Sequence, residues 1–320
     1  MSQPVYRPLF LNAWKIAWQH KRLWLFGIPA FFMAAGGLFE TVSNSWQQAN
    51  SGRIMAEQLI NGTIPGYQWL ISYSRYLSQL NPLHQYLITL FFLFLLGLGL
   101  FIGATSQGAI LNGTLEKRPI KFLDLFKKGK RFFIRLLTLD VLGKIAAAAL
   151  FGLTVLPVAF FNPLPCGWYK FPPLISFIIF LSGTIFINII QILSLVAVTR
   201  KHLSIKAEVT EAWHIFRLHK MVSLEFGGLL FLSSLMGMLI LLISLFIISL
   251  PITAIFIITV ATASPTIYIL SIIFSVLLIL ADVFLIIGWL TAFQYTAWSL
   301  FFEEMERFGI VSWIKRRLKK

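Results

Sequence analysis

Six stretches of this chain are long and almost entirely apolar, which excludes a soluble globular fold. The runs cover residues 23–41, 86–111, 132–161, 172–199, 224–260 and 267–302. A helix needs about 20 consecutive apolar residues to cross the roughly 30 Å hydrocarbon core of a bilayer. Each run therefore predicts a membrane-spanning helix, and together they predict an all-α bundle with six spans.

The composition supports the same class of protein. Only 12% of the 320 residues are charged and 58% are hydrophobic, whereas an ordinary soluble domain has about 25% charged residues. Such a chain has too few polar side chains to cover a soluble surface. It is also far too apolar to be disordered. Its single cysteine, Cys166, excludes an internal disulfide and a site with several cysteine ligands.

The fifth apolar run is longer than one straight span needs and too short for two. Pro251 lies inside it, and a proline removes one helical hydrogen bond. We therefore expect a kink or break at this position. Two interpretations stay open for 224–260: one kinked span, or a span followed by a re-entrant segment.

Basic residues predict the orientation of the spans. Of the 27 Lys and Arg residues, 23 lie in the segment before the first run, in the connections 113–135 and 199–220, or after residue 302. Only three lie in the opposite loops, and Lys144 lies inside a run. Because basic loops stay in the cytoplasm, we expect a multi-pass protein of the cytoplasmic (inner) membrane with both termini in the cytoplasm.

Similar sequences recur along the chain. The segment AWKIAWQHK, beginning at Ala13, matches AWHIFRLHK, beginning at Ala212, at five of nine positions, and Leu125-Phe126 starts a fainter third copy. The chain therefore reads as one membrane domain over 1–320 with three repeated units, at about 8–112, 120–200 and 208–302. Each unit would comprise one amphipathic helix on the cytoplasmic surface and two spans.

The surface helices of these units combine an apolar stripe with basic residues. In the connection 113–135 the stripe consists of Phe122, Leu125, Phe126, Gly129 and Phe133. The candidate contacts to anionic lipid headgroups are Lys121, Lys127, Lys128, Lys130 and Arg131. Helices of this kind lie in the headgroup plane, so we predict that the stripe faces lipid. A basic helix at 307–320 repeats the pattern, and nucleic acid is not an expected partner.

Polar residues inside the apolar runs are the candidates for a functional site, because they are costly in a membrane. Five of them are expected to line a polar cavity near the midplane: Asp140, Lys144, Asn188, Gln191 and Asp282. Asp140 and Lys144 are four residues apart, so they can pair with each other on one helix face. Alternatively, Lys144 can pair with Asp282, or the polar groups can simply join helices by hydrogen bonds.

Signatures of catalysis are missing from the sequence. It contains no H-E-x-x-H, G-x-S-x-G, P-loop or dinucleotide-binding motif. Glu211, His214, His219 and His202 lie together on one basic connection. We interpret that group as a solvated face rather than as a metal site. We therefore expect no cofactor, no metal and no enzymatic activity.

The basic connections resemble those of poorly characterised polytopic proteins of bacterial membranes. Ile120-Lys121 precedes Leu125-Phe126, Ile205-Lys206 precedes Ala212-Trp213, and the chain opens with A-W-x-x-x-x-x-H-K-x-L-W-x-F-G from Ala13. The pattern is similar to the membrane domain fused to some glycerophosphodiester phosphodiesterases. That resemblance implies a prokaryotic membrane protein near lipid metabolism or export. It carries over no catalytic residue, since the phosphodiesterase domain has no counterpart here.

Two functions are compatible with these features. The first is a transporter or permease-like protein with a polar midplane site. The second is a non-catalytic scaffold or accessory subunit that binds anionic lipid, a partner protein or a second copy of itself. A polar cavity connected to one side of the membrane would favour the first function. A dry core with a large apolar or glycine-rich face would favour the second.

The charge distribution generates a test of orientation. A reporter enzyme that is active only outside the cytoplasm, fused after Lys320, should be inactive, because the basic tail is expected to stay inside. The same reporter placed in the 43–82 loop should be active. A strongly active fusion after Lys320 would contradict the predicted orientation.

Overall fold

The computed structural model describes residues 6–33, 81–114, 121–161, 171–201, 204–262 and 265–308, with positions 75 and 79. All regular secondary structure in these ranges is helical, which confirms the predicted all-α class. The helices are α1 Tyr6–Gln19, α2 Arg22–Met33, α3 Pro82–Gly113, α4 Phe122–Lys130, α5 Phe133–Phe161, α6 Phe171–Lys201, α7 Ile205–Leu218, α8 Lys220–Thr262 and α9 Pro265–Phe308.

Five of these helices are long and apolar enough to cross a membrane: α3, α5, α6, α8 and α9. The first predicted span, 23–41, begins as α2, which has 12 described residues. That length corresponds to about 18 Å, and the rest of the run lies outside the described residues. The structure therefore shows the membrane class of the protein, whereas the count of six spans and the division into three units remain predictions.

The hydrophobic core lies at the end of the bundle that carries the basic connections. Helix α3 is exposed over most of its first half and buried from Gly103 onward. In the opposite direction, α8 is buried mainly between Val222 and Gly237. The other halves of these helices expose large apolar side chains such as Phe94 and Phe246. Long helices that expose apolar side chains are suited to contact with lipid tails.

A short helix is followed by an apolar helix at three places, with a break of one or two residues between them. The α1–α2 break is at His20 and Lys21, and the α7–α8 break is at His219. The His20 amide donates to the Ile16 carbonyl at 2.9 Å, and the His219 amide donates to the Ile215 carbonyl at 3.1 Å. The third break separates α4 from α5. The matching segments found in the sequence thus adopt similar local backbone.

The apolar stripe of α4 packs on protein, and the prediction that it faces lipid was wrong. Phe122 stacks on Phe26 of α2, with ring centroids 4.5 Å apart. Phe126 and Phe133 meet the ring of Phe101 edge-on, while Leu125 and Gly129 are buried. A stripe on an amphipathic helix can be covered by lipid or by neighbouring helices; here α2 and α3 contact its three aromatic rings, and Phe122 keeps 41% of its surface exposed.

Helix α1 also packs on protein, mainly against α9. Its most buried residues are Leu9, Ala13 and Ala17. Trp14 and Trp18 remain about half exposed while touching the indole of Trp289. Small alanines, rather than the aromatic rings, therefore form the face that allows α1 to approach α9.

Helices α8 and α9 form an antiparallel hairpin of unusual length. Their 43 and 44 residues correspond to about 65 Å each, roughly twice the thickness of the hydrocarbon core. Helix α8 continues through Pro251 to Thr262, so of the two outcomes expected there, a kink or a break, the break does not occur. Three hydrogen bonds of 2.7 Å join the two helices: Ser234 with Gln294, Ser244 with Asp282, and Thr259 with Ser271.

Two glycine contacts set the closest helix approaches in the core. A Cβ on Gly27 of α2 would collide with the backbone of Gly288 on α9, and a Cβ on Gly129 of α4 would collide with the carbonyl oxygen of Thr105 on α3. By contrast, Gly99 has open space around its Cβ position. Gly103, one turn further along α3, is different, because a Cβ there would collide with the side chain of Met33 on α2.

Gly129→Ala should destabilise the protein by about 1–3 kcal/mol, because the new methyl group forces α4 away from the α3 backbone. Gly99→Ala is the matched control, and it should be neutral or stabilising by up to about 1 kcal/mol through helix propensity. The measurement is the free energy of unfolding in mixed micelles. Equal stability of the two variants would show that α4 does not pack on α3 in this way.

Candidate functional site

A buried carboxylate lies at the meeting point of α5 and α6. The side chain of Asp140 on α5 is almost completely buried, with 1% exposure. Gln191 on α6 donates from its Nε2 to Asp140 Oδ1 at 2.9 Å. A Cβ on Gly143 of α5 would collide with the Gln191 amide, so the glycine makes room for that contact. The structure thus brings together two of the five predicted site residues.

Two further side chains complete this group, and sequence reasoning missed both. Gln107 on α3 is fully buried and donates from its Nε2 to the hydroxyl oxygen of Tyr295 on α9 at 3.0 Å. The Gln107 amide also interacts with the Asp140 carboxyl. The available signal was the polar run Thr105-Ser106-Gln107 inside an apolar span. We call Gln107, Asp140, Gln191 and Tyr295 the polar cluster.

The polar cluster is incompletely satisfied. Asp140 Oδ2 and Gln107 Oε1 are buried and accept no hydrogen bond. A buried polar atom without a partner costs about 1–3 kcal/mol, and more when it carries charge. Asp140 is about 10 Å along α5 from its first residue, and Gln107 is about 9 Å from the last residue of α3. The cluster therefore lies at a similar distance from the basic ends of α3 and α5.

Lys144 does not neutralise Asp140 in this arrangement. Its side chain is exposed, and within the described residues no ion pair joins it to either Asp140 or Asp282. The expected intrahelical pair and the expected contact between Lys144 and Asp282 are both missing. Asn188, one turn before Gln191, is half-buried. Its position on α6 adds no contact with Asp140 that the structure shows.

Asp282 belongs to a different part of the molecule. Its Oδ2 accepts a hydrogen bond of 2.7 Å from the Ser244 hydroxyl in the seam between α8 and α9. Asp282 and Tyr295 are separated by about 20 Å along α9. The five residues predicted to line one cavity are thus divided between the polar cluster (Asp140 and Gln191), this seam (Asp282), the exposed surface of α5 (Lys144) and a half-buried position on α6 (Asn188).

A second polar layer lies at the basic end of the bundle. Arg200 on α6 donates to Glu303 at 3.0 Å and to the hydroxyl oxygen of Ser299 at 3.0 Å, and Ser299 shares a 3.0 Å hydrogen bond with Thr114. Lys201 forms ion pairs with Glu211 at 2.7 Å and Glu306 at 3.1 Å. These contacts tie α3, α6, α7 and α9 together, and the sequence alone did not indicate these partners.

The group considered for metal binding falls on α7 and its two ends, and its His202 lies outside the described residues. Glu211 is engaged by Lys201, and His214 is exposed. In the described part of the chain, no cluster of three or more His, Cys, Asp or Glu residues could hold a metal ion. An open groove of about 640 Å³ lies beside these residues and is lined by Ser204, Lys206, Ala207, Thr210, Glu211 and His214.

The basic face of α4 points away from the bundle. All five candidate headgroup contacts are exposed: Lys121, Lys127, Lys128, Lys130 and Arg131. The opposite face is held against α3 through Leu125 and Gly129. The packing of α4 on α3 thus determines the direction in which the positive charges of α4 face.

Comparison of the chain with protein-family models, with curated proteins and with solved structures gives no match.

Glu208 on α7 is a buried acid outside the spans. Its side chain has no exposed surface, and the nearest cation is the half-exposed Arg135, 3.8 Å from Oε1. Both carboxylate oxygens are buried without a hydrogen-bond partner. Burial raises the pKa of Glu208 above its ordinary value, and the charge of Arg135 offsets only part of that effect. The folded protein therefore retains this proton to higher pH than the unfolded chain does.

Glu208→Gln should flatten one part of the pH dependence of stability. In the wild type, the unfolded chain releases this proton first, so the free energy of unfolding falls as pH rises through the raised pKa. At neutral pH the variant should be more stable by about 1–3 kcal/mol, and the difference should vanish at acid pH. The measurement is the unfolding free energy in micelles between acid and neutral pH.

The matched control for this experiment is Glu211→Gln. Glu211 accepts from Lys201 at 2.7 Å and is partly exposed, so removing its charge should not stabilise the protein at neutral pH. A Glu208→Gln variant with the same pH profile as the wild type would contradict a raised pKa for Glu208.

Proposed function

We propose that this protein is a multi-pass membrane transport protein in which the Asp140 carboxylate receives a proton or a small cation. The observation that carries the proposal is the buried carboxylate itself, which has one oxygen without a partner. Ionisable groups inside a membrane are expensive, and they mark ion and substrate pathways.

The position of the polar cluster supports this proposal. Its side chains come from α3, α5, α6 and α9, which are four of the five long apolar helices. A site where several helices meet can be opened to one side of the membrane by small movements of those helices. Hydrogen bonds that only join two helices would not require a charged group.

We also propose the cellular setting that the charges predict. The basic ends of the bundle would face the cytoplasm in an inner membrane, with both termini inside. The polar cluster would then lie in the cytoplasmic half of the bilayer, which is closer to the inside than the predicted midplane cavity. An enzymatic role is not proposed.

Ion flux through reconstituted protein tests the proposal. The full chain is placed in vesicles that contain a pH-sensitive dye or a sodium-sensitive dye, and a potassium diffusion potential drives entry. Wild-type protein should carry protons or sodium at least about tenfold faster than Asp140→Asn, because the variant keeps the shape of the side chain but not its charge. Asp124→Asn, which changes an exposed carboxylate, should retain the wild-type rate. Equal rates for wild type, Asp140→Asn and empty vesicles would contradict the proposal.

A second function is favoured by the exposed basic face of α4. Five cationic side chains that point away from the bundle suit a scaffold or accessory subunit that binds anionic lipid headgroups, since each is worth about 1 kcal/mol near such a surface. Absence of Asp140-dependent flux, with loss of bound anionic lipid when Lys127, Lys128 and Lys130 become Gln, would favour this function. Neutralising three other basic residues, Lys206 and Arg217 of α7 and Lys220 of α8, controls for net charge.

A further inference from the structure

We infer that Asp140 is protonated in the resting protein and that the ion bound by the polar cluster is a proton. The inference deepens the proposed function and rests on it for the role of the site. It starts from two buried oxygens that have no hydrogen-bond donor, Asp140 Oδ2 and Gln107 Oε1. Both belong to side chains that interact with each other in the core.

One proton resolves both deficits. A carboxylate can only accept hydrogen bonds, whereas a protonated carboxyl group has one O–H donor. Protonation of Oδ2 removes the buried charge and adds one O–H donor to the polar cluster, in which Gln107 Oε1 is the acceptor that has no donor. Oδ1 continues to accept from Gln191 at 2.9 Å. The step adds one proton to one carboxylate oxygen and requires no other reactant.

The groups around Asp140 do not stabilise its charged form well. Gln107 comes from α3, Gln191 from α6 and Tyr295 from α9, and all three are uncharged polar groups. Within the described residues, the only charged group that the structure gives near Asp140 is Lys144 on its own helix, and the Lys144 side chain is exposed. The amides of Gln191 and Gln107 are a weak replacement for the water that a carboxylate loses on burial.

A metal cation fits the polar cluster less well than a proton does. Hard cations require about six oxygen ligands, and the cluster offers two oxygens without partners. Gln191 and Gln107 turn N–H groups towards Asp140 Oδ1 and the Tyr295 oxygen. The partial positive charge on those N–H groups would repel a bound metal cation. A proton needs only one acceptor and one adjacent oxygen, which the structure supplies.

Infrared spectroscopy of the full protein in lipid tests the inference. The chain contains three aspartates, Asp124, Asp140 and Asp282, so labelling with ¹³C-aspartate separates their carboxyl bands from those of glutamates and lipid esters. At neutral pH the labelled wild type should show the C=O stretch of a protonated carboxylic acid, and Asp140→Asn should lose it. Asp282→Asn and Asp124→Asn are the matched controls and should keep it. Loss of only a carboxylate band in Asp140→Asn would overturn the inference.

A second variant keeps the test decisive if Asp140→Asn does not fold. Gln107→Met removes the proposed acceptor but keeps the volume, so the C=O band of Asp140 should shift to higher frequency. An unchanged carboxylic acid region would overturn the inference. The infrared band and the ion flux test the two proposals separately. A carboxylic acid band from Asp140 without Asp140-dependent flux would contradict only the transport proposal. Flux that depends on Asp140, with an ionised Asp140 at rest, would end only this inference.

Discussion

The contact between Asp140 and Gln191 is the interaction on which the interior of this bundle depends. It places a carboxyl group out of reach of water and of any cation that the structure shows. Moving a carboxylate from water into a protein interior without a cation to pair with it costs a large amount of free energy. The neighbouring helices accommodate it with uncharged donors, and Gly143 supplies the space for one of them.

The rest of the core is built around close packing at one end. Glycines at 27, 129 and 288 let backbones approach directly, and alanines 13 and 17 do the same for α1. Between membrane helices, association depends on such packing and on hydrogen bonds, because lipid is as apolar as the side chains it would replace. The short helices therefore pack against the basic ends of the long helices. Arg200 and Lys201 add ion pairs at the same end.

The sequence predicted the helical class, and five of its six predicted spans correspond to the long apolar helices. It also singled out Asp140 and Gln191, because runs of hydrophobicity and isolated polar groups are local properties. It did not predict which helices meet, since that depends on contacts between distant residues. An amphipathic stripe looks the same whether lipid or protein covers it, so the α4 stripe was assigned to lipid.

Asp282 was grouped with Asp140 by residue type, although about 20 Å of α9 separates Asp282 from the Tyr295 end. Gln107 and Tyr295 are polar residues that can be read from the sequence, but only the structure shows that their side chains form a hydrogen bond.

A double-mutant cycle on Asp140 and Gln191 tests the central claim most directly. The free energies of unfolding of the wild type, Asp140→Leu, Gln191→Met and the double variant are measured in mixed micelles. If the two side chains are bonded across α5 and α6, the two effects should be non-additive by about 0.5–3 kcal/mol. Additive effects, with a coupling energy near zero, would show that the carboxyl and the amide do not meet, and the polar cluster described here would not exist.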